Sequence, residues 1–98
     1  MANVIDQWTI TTDRLLDGLE LEWSVAVRTI TRWADMSDYE QMVFIEEWAI
    51  PRGYYQELQV RCEQGRLSEN ERRRFAVLRR MIDLHRPAVE AILEDSAI

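Results

Sequence analysis

Acid–base or metal chemistry in this chain would have to rest on His85, the single histidine. Asp83, its near carboxylate, is two residues away and so faces elsewhere on a helix. The Glu-x-x-His spacing of carboxylate metal bundles is absent. Cys62 is equally alone, which excludes an intramolecular disulfide and leaves no Cys/His spacing for zinc. Both residues have ordinary explanations: a small apolar thiol facing a neighbouring helix, and an imidazole near a helix C-terminus, where the dipole favours it. Glu20 with Glu22, and Glu46 with Glu47, do not share a helix face. Asp13 and Asp17, four apart, do. They form either a solvated acidic face or a weak divalent-cation site. No Gly-rich phosphate loop, nucleophile elbow or Ser-His-Asp set exists. No catalytic, cofactor-binding or metal residue is therefore assigned, and an enzyme or metal protein ranks last among the functional readings.

Arginine is the remaining chemistry. Every basic side chain is Arg and none is Lys, which fits either bidentate recognition of carboxylate or phosphate or the codon bias of a GC-rich genome. Residues 1–50 hold three Arg against ten Asp or Glu, and residues 51–98 hold nine against eight. A net charge of −6 argues against a nucleic-acid partner unless a local patch overrides it. The one basic cluster is Arg72-Arg73-Arg74 with Arg79 and Arg80. Side chains successive on a helix splay about 100° apart, so Arg72 aligns with Arg79 and Arg73 with Arg80. Arg79 is expected to pair with Asp83, and Arg86 with Glu90. The strip Arg72, Arg73, Arg79 and Arg80 is either solvated or offered to an acidic partner, the chain's own acidic N-terminal half being one such.

The elements that position these residues are helical. Ninety-eight residues, 47% hydrophobic with three Gly and two Pro, describe one well-filled domain. Four Trp supply large anchors for a core or an interface. No run of about eighteen apolar residues would span a membrane. The start, MANVIDQWTI, lacks the basic residue of a leader. A cytoplasmic protein without a membrane partner is the expectation.

Leu16, Leu19, Trp23, Ala26, Ile30 and Trp33 recur at spacings of three and four, which predicts a long helix over 12–35. Thr12 is the expected N-cap with Asp13 in the first turn; a helix continuous from Asn3 is the alternative. Gly18 within it costs roughly 1 kcal/mol relative to Ala and marks either a close helix crossing or simple tolerance. Ser37-Asp38-Tyr39-Glu40 is a capping box opening a second helix over 38–50. That helix is apolar around most of its circumference, so it is expected to be buried on two sides and to be central. Pro51 should end it, with Arg52-Gly53 as a joint. A third helix carries Tyr54, Leu58 and Cys62 to a Gly65 cap. Ser68-Glu69-Asn70-Glu71 opens a fourth, and Pro87 kinks it or starts a last short helix. The predicted fold is all-α: a small bundle of four to five helices, its long first helix packed on the hydrophobic second.

Leu21 and Val25 stand apart from the seam, on a different face of the first helix, among Arg14, Arg28 and Arg32. They belong either to a core face that wraps round the helix or to a second interface. Leu21, Val25, Arg28 and Arg32 are the candidate interface. Its simplest partner is a second copy with antiparallel first helices, Arg28 or Arg32 reaching Asp17 or Glu22. The leading expectation is a non-enzymatic adaptor, small subunit or regulator that acts on a protein partner as a homodimer. An antitoxin-like or DNA-linked regulator using the Arg-rich helix is the alternative.

Overall fold

The computed structural model describes residues 10–96, and every regular element there is helical. Helix α1 spans Thr12–Thr31, a 3₁₀ turn Trp33–Asp35, α2 Asp38–Glu47, α3 Ala49–Glu63 and α4 Glu69–Ser96. Helices α2 and α3 are separated only by Trp48. The 28 residues of α4 span about 42 Å at 1.5 Å per residue, which sets the longest dimension of a body 49 × 29 × 20 Å.

The two capping boxes form as their sequences require. The Glu40 amide donates to Ser37 Oγ and the Ser37 amide donates to Glu40 Oε1, both at 3.1 Å. Ser68 and Glu71 repeat the exchange at 2.8 and 3.2 Å. Gly65 sits at φ +70°. Its amide donates to the Cys62 carbonyl while the Arg66 amide donates to that of Arg61, the paired bonds of a Schellman end.

The start and end of α1 differ from the sequence expectation. Thr11, not Thr12, is the N-cap, its hydroxyl accepting from the Arg14 amide at 3.3 Å. Thr12 is already helical, and its hydroxyl accepts instead from Arg61. The alternative start at Asn3 lies outside the described residues. The helix stops at Thr31 rather than Asp35, where Thr31 Oγ1 donates to the Arg28 carbonyl at 2.7 Å and the chain tightens into the 3₁₀ turn.

Neither proline acts as a break. Pro51 lies in the first turn of α3, where its missing N–H is not needed. The α-helical ladder breaks earlier, at Trp48, whose amide reaches back only to Ile45. Arg52 and Gly53 are consequently helical, not a joint. Pro87 is inside α4, which runs on through it. An interior proline costs about 3 kcal/mol; here Pro87 and Asp83, whose carbonyl loses its donor, both lie on the exposed side of the helix.

The largest correction concerns α2. Helix α1 packs chiefly on α3 and α4 rather than on α2, from which Phe44 packs against the same core. Its stripe of Leu15, Leu16, Leu19, Trp23 and Ala26 is buried with Leu58, Phe75, Leu78, Ile82 and Val89, and each fully buried Leu, Ile or Phe contributes about 2 kcal/mol. Helix α2 has no fully buried residue. Its apolar side chains are spread around the axis, so no one neighbour can cover them. It is fastened through rings: Trp33–Phe44 at 5.5 Å, Phe44–Trp48 at 5.4 Å and Trp48–Trp23 at 5.1 Å. Gln41 Nε2 adds a bond to the Trp33 carbonyl at 2.7 Å.

Gly18 marks a close crossing. A Cβ there would stand 2.8 Å from Tyr54 Cε2, whereas one at Gly53 would meet nothing within 4 Å. Gly53→Ala should therefore stabilise the fold by about 0.5–1 kcal/mol, and Gly18→Ala should fall short of that gain because the Tyr54 ring must first move. Urea unfolding of the two variants reads the difference. A second expectation concerns acid. The Ser37 backbone hydrogen bond first, and its hydroxyl second, lower the Glu40 carboxyl below the usual glutamate value; the Ser68 backbone hydrogen bond is the largest cause at Glu71. A carboxylate lowered by folding contributes stability that is complete above its unfolded value and is lost as pH falls through the folded one. Glu40→Gln/Glu71→Gln should thus flatten the loss of stability below pH 4.5, measured by thermal melts across an acid series.

Candidate interaction surfaces

Helix α1 carries two faces of opposite character. The buried stripe faces α3 and α4, and on 3.6-residue geometry Leu21 and Val25 fall on the far side. Leu21 is 61% exposed and Val25 41%, so the wrap-around core does not form within this chain. Arg14, Arg28 and Arg32 are exposed beside them, and Arg28 and Arg32 make no ion pair among the described residues. Two apolar side chains ringed by arginines thus form one strip along the back of α1.

The acidic residues expected to answer those arginines are divided. Asp17 is already engaged, accepting from Arg74 Nη2, which also reaches Glu20 at 3.2 Å. Glu22 keeps no such partner among the described residues. The hydrogen bond to Asp17 is the largest cause raising the Arg74 pKa further. Arg74 is more than a third exposed and its carboxylates more so, so the clamp contributes at most about 1 kcal/mol. Its effect is positional, setting α4 alongside the acidic side of α1.

The strip of Arg72, Arg73, Arg79 and Arg80 is exposed throughout. Arg73 donates to Asn70 Oδ1 at 2.6 Å. The expected pairs on α4 do not form as drawn. Arg79 lies 5.5 Å over the Phe75 ring instead of bonding Asp83. Arg86 takes Asp83 at 3.4 Å rather than Glu90. In both cases the guanidinium lies over a neighbouring ring, Tyr55 for Arg86 at 5.4 Å, and this cation–π contact competes with an exposed ion pair of small net worth.

Sequence reasoning missed three features. Arg61 is 3% exposed; its Nε donates to Glu57 at 2.9 Å and Nη1 to Thr12 Oγ1 at 3.1 Å. This ties the end of α3 to the start of α1. Its only sequence signal was Glu57 at i−4. The outer side of α2 is the second, with Tyr39 70% exposed and Met42 and Ile50, just beyond in α3, also open. The third is exposed Val77 and Leu84, seven apart on α4 and therefore on one line with Arg73 and Arg80.

The residues considered first for chemistry remain scattered. Cys62 is half-buried and packs against the core, and His85 is half-buried on α4. Asp13 and Asp17 are both exposed. Among the described residues no three His, Cys, Asp or Glu side chains are grouped to hold a metal ion, and no helix is long and apolar enough to cross a membrane. Against models of protein families, curated proteins and solved structures, the chain finds no match.

Proposed function

We propose that this chain is a non-enzymatic interaction protein, an adaptor, small subunit or regulator that works through helix surfaces and associates as a two-fold homodimer. The observation that carries this reading is the back of α1, where Leu21 and Val25 are exposed on the side away from the core. A two-fold axis across that strip brings antiparallel α1 helices together, each Leu21 and Val25 covering its mate. Arg28 or Arg32 then reaches toward Glu22 of the second copy, Arg28 being nearer to it in register; Asp17 serves Arg74 within its own chain. The open side of α2, with Tyr39 and Met42, is further apolar surface available to a protein partner.

A second reading, an antitoxin-like or DNA-linked regulator, draws on the exposed arginines of α4. It works against a net charge of −6, and its arginines fall on two lines rather than one flat patch.

Light scattering at concentrations on the order of tens of micromolar should give twice the 11.7 kDa chain mass. Leu21→Glu/Val25→Glu should return the mass to one chain while circular dichroism keeps its helical signal. A monomeric parent protein removes the homodimer, and an unfolded variant assigns the two side chains to the core. On heparin, the protein should pass without salt-sensitive retention. Retention that disappears in Arg73→Ala/Arg80→Ala would favour the nucleic-acid reading instead.

A further inference from the structure

A cleft of about 340 Å³ opens between α1, α3 and α4. Its lining is mixed: Trp48, Tyr55 and Leu93 present half-buried apolar surface, with Trp23, Ile82 and Val89 buried behind them and Gln56 and Gln59 polar at the side. The volume lies in the lower part of the range for small-ligand sites, which are concave and mostly apolar with a few convergent polar groups. Neither the back of α1 nor the Arg strip of α4 contributes to it.

The charged groups lining this cleft are two arginines and one carboxylate. In a chain of net charge −6, the lining carries Arg52 from α3 and Arg86 from α4 against the single carboxylate of Glu90. Arg86 is held in place by the Tyr55 ring at 5.4 Å and by Asp83 at 3.4 Å. Arg52 has no ion pair among the described residues. A guanidinium presents a planar fork of donors that fits a carboxylate, while the half-buried apolar side chains reward apolar surface and penalise an unpaired polar group.

The geometry points to a binding site for a small amphipathic monocarboxylic acid, its aliphatic chain or ring on the apolar surface of Trp48, Tyr55 and Leu93 and its carboxylate between Arg52 and Arg86. Glu90 disfavours a second carboxylate on the same ligand. This site is separate from the dimer face, and a ligand on it is measured in the same way on one chain or two.

Octanoate is the probe, titrated against the intact chain and read by tryptophan fluorescence, with octylamine as the length-matched cation. Octanoate should saturate one site per chain with a Kd at or below about 1 mM, and octylamine should bind at least tenfold more weakly. Arg52→Gln, at a side chain with no ion pair to lose, should weaken octanoate roughly tenfold and leave the helical circular dichroism unchanged. Arg80→Gln, outside the cleft, should leave the affinity as it was. Equal binding of octylamine and octanoate, no saturation by about 1 mM, or equal losses in Arg52→Gln and Arg80→Gln would each overturn the assignment.

Discussion

The burial of one side of α1 between α3 and α4 is the interaction on which the remaining geometry depends. Leu16, Leu19 and Ala26 have no exposed surface, and Leu58, Phe75 and Ile82 close over them from the other two helices. Once that contact is made, three further features follow. Tyr54 is drawn against Gly18, where a larger residue would hold the helices apart. Arg61 is carried under the start of α1, where Thr12 and Glu57 satisfy it. Leu21 and Val25 are left facing outward, because a helix covered on one side by two neighbours has an opposite side that neither reaches.

What the sequence made legible was local. The two Ser-x-x-Glu boxes, the glycine end at Gly65 and the three-four spacing of Leu16 to Ala26 depend only on residues within a turn or two, and each appears where its pattern stands. The failures were long-range. Helix α2 looked central because it is apolar on most sides, but apolar composition does not name a partner. The narrower stripes of α3 and α4 matched α1 better. Pro51 and Pro87 illustrate the same point from the backbone. A proline removes one donor, and whether that ends a helix depends on whether the donor was needed and whether the freed carbonyl meets water.

The candidate surfaces were legible in proportion to how little they depend on other helices. Leu21 and Val25 were set apart by helical phase alone, and their exposure follows from that phase. The arginines of α4 were placed on the right lines, but their partners were not, because Phe75 and Tyr55 offered ring faces that no spacing rule had counted. Arg74 was grouped with its basic neighbours and instead joins α1. The cleft left no sequence signal at all: Trp23, Pro51 and Val89 come from three helices and meet only after folding.

The aromatic chain through Trp33, Phe44, Trp48 and Trp23 has a spectroscopic consequence. Helix α2 is joined to the rest largely through those rings and buries no residue completely, so it belongs to the low-stability end of the molecule and opens before the three-helix core does. Emission from Trp33 and Trp48 is sensitive to their ring contacts with Phe44 of α2, whereas ellipticity is governed by the long helices α1, α3 and α4. Denaturation curves from the two signals will therefore separate, the emission curve leading. In this small domain a noncoincidence of that kind reports a detaching helix, and a single two-state free energy fitted to either curve alone describes only part of the chain.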